Sequence, residues 1–168
     1  MSTLGLTFDP IDEAARQWRA HGWQDAADGM AAVTSLMRAQ AIMLARAEEV
    51  LRPLGLSFAR YELLTLLSFT QRGALPMARA GALLQVHPTS VTNAVQRLQN
   101  AGLVRREPHP DDGRAVLVHI TEQGRELAAK ATKRLNADLF TRPGLSRAKL
   151  EMLVSVLRDL RRDAGDFA

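Results

Sequence analysis

The residues with the clearest chemical potential lie in one run: Thr89, Ser90, Thr92, Asn93, Gln96 and Arg97. Hydroxyl, carboxamide and guanidinium groups bond phosphate oxygens and the edges of nucleic-acid bases. Asn93 and Gln96 each carry a planar amide that can give and take a hydrogen bond at once, as adenine requires in the major groove. Thr89, Ser90 and Thr92 add short hydroxyl donors, and Arg97 can reach a phosphate backbone. Val91, Val95 and Leu98 are threaded through the same run at helical spacing. At about 100° per residue these three share one face; Thr89, Asn93, Gln96 and Asn100 fall opposite, flanked by Ser90 and Arg97. The pattern predicts a helix over 88–100 with an apolar back and a polar front.

The neighbouring sequence is suited to positioning that helix. Pro88 is pre-set for a first helical position, with His87 at the N-cap as a turn residue rather than a titrating switch. The first turn is expected to offer free amides and a partial positive charge, which favour phosphate. Gly102 supplies a left-handed stop. A short helix over 77–84 and the turn Gln85-Val86-His87 precede it. Residues 103–108 read as a strand, 109–114 as a turn-rich loop and 115–120 as a return strand by alternation. Arg105, Arg106 and Arg114 lie on this hairpin, with Arg114 at its tip, where an arginine can enter a minor groove. Asp112 can pair with Arg114 and hold its fork, while Asp111 partly cancels the local charge. His119 reads as a strand residue with its own hydrogen bond. Helix, turn, helix, strand, loop, strand is the order of a winged helix-turn-helix, whose second helix enters the DNA major groove.

The whole chain sets limits. Its 168 residues suit one domain, or two small ones sharing a core. There is no cysteine, which excludes disulfides, thiolate catalysis and Cys-ligated metal sites. His21, His87, His109 and His119 show no metal-binding spacing, so no metal and no cofactor is expected. Lys and Arg outnumber Asp and Glu by 22 to 18, an excess that becomes informative only through its place on the hairpin and helix. No apolar run approaches the roughly 20 residues that span a bilayer, and the N-terminus lacks a secretory pattern. A soluble cytoplasmic protein without a membrane partner is expected.

Longer helices flank the hairpin unit. Asp9 and Pro10 start a helix with Ile11, Ala15 and Trp18 on one face. Trp18 and Trp23 are expected to pack onto the body or a partner subunit rather than stack on a ligand. A long helix over 25–52 carries Met30, Val33, Met37, Leu44 and Leu51, more apolar length than a small domain covers, which points to a subunit contact. Pro53 and Gly55 end it, and Ser57 caps a helix over 58–70. Residues 71–76 read as a loop. Thr121 caps a helix running to about residue 140; Ser146 caps a last helix whose seam is Leu150, Leu153, Val154, Leu157 and Leu160.

Residues 86–127 resemble the MarR family of bacterial transcription regulators. TSVTNAVQRLQNAGLVRR is similar to the family's recognition helix and wing start, and DDGRAVLVHITEQG to its wing tip, return strand and following helix. Weaker similarity extends over 28–162. The resemblance implies a mainly α fold with a small β-hairpin wing: a winged helix-turn-helix with a helical dimerisation core. Residues 1–24 would form an N-terminal extension helix, 25–54 and 122–168 the dimerisation region, and 55–121 the DNA-binding lobe. It further implies a homodimer on double-stranded DNA, a ligand-responsive repressor on a pseudo-palindromic operator. Recognition helix 88–100 and wing 103–120 would make the contacts, with Asp112 and Arg114 matching the family's wing Asp-x-Arg. Gly113 stands where many members have arginine. Members often release DNA on binding a small molecule. Here the peroxide-sensing branch lacks its cysteine and the zinc-sensing branch its ligand clusters. The urate branch lacks its arginine, since Glu62 and Phe69 stand at its paired positions. The effector is thus left without assigned residues.

Two other classes compete. A winged helix can serve as a protein-interaction module without DNA, although the polar front of 88–100 lacks the large exposed hydrophobes such surfaces use. An enzyme would need a Gly-rich phosphate loop, a nucleophile–His–acid set or a metal spacing, and none is present.

Overall fold

A computed structural model describes residues 5–110 and 112–167; the side chains at 112–114 lie outside that description. The chain forms two compact units, 1–46 and 47–168.

In the first unit, α1 (Pro10–Ala20) starts as the sequence predicts. The Asp9 carboxylate accepts from the Ile11 amide at 2.8 Å, and Pro10 occupies the first turn. A turn leads into α2 (Gln24–Leu51), most of which belongs to this unit. Small residues, Ala15 and Ala27, are the buried ones here. Arg19 bonds Asp28 at 2.5 Å across the two helices. Trp18 and Trp23 pack edge to face with centroids 5.4 Å apart, and His21 stacks on Trp23 at 5.6 Å. Trp23 remains 55% exposed. Val33, Met37 and Leu44 along α2 are exposed as well.

The second unit begins with the last turn of α2, a 3-10 turn at Arg52–Leu54, and α3 (Phe58–Ser68). There follow β1 (Ala74–Pro76), α4 (Met77–Leu84), α5 (Pro88–Asn100), β2 (Val104–His109) and β3 (Asp112–Ile120). The chain then runs through α6 (Glu122–Leu135), a π-helical turn at Asn136–Phe140 and α7 (Arg147–Asp163). The sheet is antiparallel in the order β1-β3-β2. Leu51, Leu63, Leu64, Leu67, Val95, Leu98, Val118 and Leu135 are fully buried in one core. Burial of such a side chain contributes about 1.5–3 kcal/mol. The apolar back of α5 is thus anchored against α3 and the sheet.

One junction fixes α5, the wing and α6 together. Gly102 ends α5 with φ +72°, a left-handed conformation that glycine adopts without penalty. The Thr121 hydroxyl donates to the Gly102 carbonyl at 2.8 Å and accepts from the Gly124 amide at 3.1 Å, capping α6. At Gly124 a Cβ would stand 2.2 Å from the Leu103 carbonyl oxygen, so only glycine lets α6 start this close to the chain leaving α5.

The structure corrects several expectations. The loop at 71–76 contains β1, whose three residues pair with Leu117, Val118 and His119. The wing loop is shorter than 109–114, because His109 and Asp112 are already paired. The α6 helix stops at Leu135 and continues as a π turn, in which the Thr141 amide bonds the Asn136 carbonyl at 3.1 Å. Ser146 sits at the start of α7 but makes no side-chain cap. No described helix is long and apolar enough to cross a membrane.

Candidate nucleic-acid interface

The predicted bounds of the helix at 88–100 coincide with α5. Val91, Val95 and Leu98 are buried; Thr89, Ser90, Thr92, Asn93, Gln96 and Arg97 are exposed. The polar residues do not form one uniform surface, however. Thr92 donates its hydroxyl to the Pro88 carbonyl at 3.0 Å and turns to the flank facing α4, within 3.7 Å of the Met77 sulfur. Gln96 donates to Asn100 Oδ1 at 2.8 Å and accepts from Arg106.

The first-turn amides are not free. Thr89 N–H donates to His87 Nδ1 at 3.3 Å, and the Ser90 and Val91 amides donate to the His87 carbonyl at 2.8 and 3.3 Å. The imidazole therefore supplies the cap that an Asp or Ser would usually give. A phosphate oxygen at this end would meet the helix's partial charge and the hydroxyls of Thr89 and Ser90 before it met an unpaired amide.

The wing divides its charges by face. Alternation along β2 puts Arg105 and Glu107 on one side and Val104 and Arg106 on the other. Arg105 forms an ion pair with Glu107. His119, opposite Arg105 in register, brings Nε2 to 3.0 Å from a Glu107 carboxylate oxygen without meeting hydrogen-bond geometry. The expected hydrogen bond of His119 is therefore missing at that nitrogen. Burial, with the charge of Arg105 added, holds the His119 imidazole below its usual range, so it is neutral at pH 7. Arg106 reaches back to α5, donating to the side-chain carbonyls of both Gln96 and Gln99. Arg105 and Arg106 both lie on the hairpin as expected, and the two-residue period of the strand sends them to opposite faces. The Asp112–Arg114 pair expected at the tip involves side chains outside the described residues.

Two features had no sequence signal. Gln85, in the turn between α4 and α5, is left-handed at φ +54°. Its amide nitrogen donates to the Asp166 carbonyl at 2.9 Å, and its oxygen accepts from Arg161 at 2.8 Å. A cleft of about 710 Å³ also opens between α4, α5 and β3, lined by Met77, Gly81, Val86, Val91, Thr92 and Val116 among others. Among the described residues, no three His, Asp or Glu side chains gather closely enough to hold a metal ion.

A short helix, a left-handed turn, a helix with a buried back and polar front, and a two-stranded wing define a winged helix-turn-helix protein. Residues 54–115 match the sequence model of the MarR family. The chain is 47% identical to Sco5413, a MarR family transcriptional regulator from Streptomyces coelicolor, with a TM-score of 0.76 over 83% of this chain and 97% of that one. It is 34% identical over 106 residues to the HTH-type transcriptional regulator ML2140 of Mycobacterium leprae, covering 63% of this chain and 69% of the relative. At the level of fold it also resembles S. coelicolor Sco3205, a MarR family regulator solved in complex with DNA (24% identity, TM-score 0.71, 82% of this chain and 88% of that one). The chain belongs to the MarR family, and is a transcription regulator rather than an enzyme.

Proposed function

We propose that two copies of this chain form a repressor that binds a pseudo-palindromic operator in double-stranded DNA. The observation that carries this reading is the exposed polar front of α5 standing beside the β2–β3 wing. Thr89, Ser90, Asn93, Gln96 and Arg97 face the groove and its phosphates. Thr92 supports the helix start, and Arg114, steadied by Asp112, enters the adjacent minor groove. A two-fold dimer sets the half-sites about 10–10.5 bp apart. The apolar residues that α2 and α7 leave exposed are the subunit contact. Residues 25–54 and 122–168 then serve dimerisation, 55–121 serve DNA, and 1–24 are an extension. A small-molecule effector suits the cleft between α4, α5 and β3, because filling it would move the recognition helix against the wing.

Binding of the purified protein to duplexes selected from a random pool, titrated with salt, tests this reading. Affinity should fall steeply with salt. Arg114→Ala should weaken binding to every duplex and reduce the salt slope by about 1, whereas Asn93→Ala should relax one base position by about 1–3 kcal/mol. Absence of any bound duplex at low salt would overturn the proposal.

A further inference from the structure

Arg106 occupies a position from which it can govern what α5 reads. It lies on the face of β2 that carries the buried Val104, turned toward the recognition helix. Its Nη2 donates to Gln96 Oε1 and its Nε to Gln99 Oε1. Gln96 in turn donates from Nε2 to Asn100 Oδ1 at 2.8 Å. A guanidinium fork from the wing therefore ends in a relay along the exposed side of the helix.

The chemistry of this relay fixes a direction. A carboxamide has two donor hydrogens and two acceptor lone pairs. Gln96 uses one of each inside the protein and keeps one of each for a partner. A free donor and a free acceptor side by side are what adenine N7 and N6 require. A free glutamine can turn its amide over and present the pair in reverse order. Arg106 prevents this, because guanidinium has only donors; a reversed Gln96 would set N–H against N–H. The polarity thus follows from the identity of Arg106 and not from how the amide atoms are named.

We propose that Arg106 is a positioning residue for base readout. It holds the Gln96 carbonyl toward the wing and the amino group toward Asn100, so that one base pair in each half-site meets a donor–acceptor pair of set order. Docking of the wing and reading of that base are thereby coupled. The inference rests on the assignment of α5 as recognition helix.

Selection from a random duplex pool tests it with the full chain as wild type, Gln96→Ala, Arg106→Met and the double variant. Gln96→Ala should lose preference at one position per half-site. Arg106→Met should lose preference at that same position, by about tenfold. The double variant should be no more relaxed there than Gln96→Ala alone. The salt slope of Arg106→Met should match wild type, since loss of a phosphate contact would lower it by about 0.9. Arg106→Lys keeps the charge and the stem but not the fork that spans two carbonyls. It should relax the same position, and it answers the question if the Met variant fails to fold. Uniform weakening with a lower slope would make Arg106 a phosphate contact and overturn the inference. So would relaxation at a different position from Gln96→Ala, or an unchanged profile in the folded Arg106 variants. A wild-type protein that enriches no sequence would overturn the proposed function along with it.

Discussion

Helices α5 and α7 carry apolar seams of the same design and meet opposite fates. In α5, Val91, Val95 and Leu98 are no more than 2% exposed. In α7, Leu153, Val154 and Leu160 are 42%, 53% and 51% exposed, and no residue of the helix is buried. Periodicity describes a face that needs a partner; it does not say where the partner is. For α5 the partner is in the same chain: Leu63, Leu64, Leu67 and Val118 share its core. Leu153, Val154 and Leu160 on α7 lack such cover within the chain, and the proposed pairing of two copies would supply it. The contrast separates residues buried by their own chain from residues that it leaves uncovered.

The largest expected effect is on the side that is buried. Leu98→Ala should cost about 2–5 kcal/mol, read as a lower urea midpoint at any protein concentration, because a cavity opens beneath α5. On α7, Leu153→Asp with Leu160→Asp should instead weaken self-association on the order of a hundredfold. Sedimentation should then report a monomer with unchanged helix content, and the unfolding midpoint should lose its dependence on concentration. An unchanged mass together with a loss of stability like that of Leu98→Ala would break the comparison, since α7 would then be packing within its own chain.

Caps sharpen the same contrast on a smaller scale. Thr121 bonds both Gly102 and Gly124, so Thr121→Ala should cost about 1 kcal/mol in thermal or urea unfolding. Ser146 makes no cap bond, so Ser146→Ala should leave the midpoint nearly unchanged. The smallest effect depends on pH. Burial raises the Glu62 carboxyl above the ordinary glutamate range, so the folded chain holds that proton more tightly than the unfolded one. Stability from this group is present below the unfolded value of about 4.3 and declines as pH rises through the folded value. Glu62→Gln should therefore be more stable than wild type at pH 7, with the difference gone near about pH 3. A constant difference across that range would mean that Glu62 acts through packing and not through its charge.

Much of this organisation was legible beforehand because it is local. Pro88 and Gly102 bracket α5, Asp9, Ser57 and Thr121 cap three helices with their side chains, and each works within a few residues. The misses are equally physical. Ala74-Leu75-Pro76 is too short to show alternation and becomes a strand only because β3 offers it a ladder. Gln85 has no residue-type reason to be left-handed; Arg161 and Asp166 hold its side chain from some 80 residues away. Arg105 and Arg106 are adjacent in sequence, and only the pleat sends one to Glu107 and the other to α5.

By itself the sequence determined the winged helix-turn-helix, the bounds of α5 and the two flanking seams, because hydrophobic period, proline and glycine geometry and side-chain caps act over short distances. Tertiary structure alone decided which polar groups are still available. It bound Gln96 and Gln99 of α5 to Arg106 of the wing, and Gln85 of the preceding turn to Arg161 of α7. A side chain's type lists the hydrogen bonds it can make, and its neighbours in space decide which of them remain for DNA.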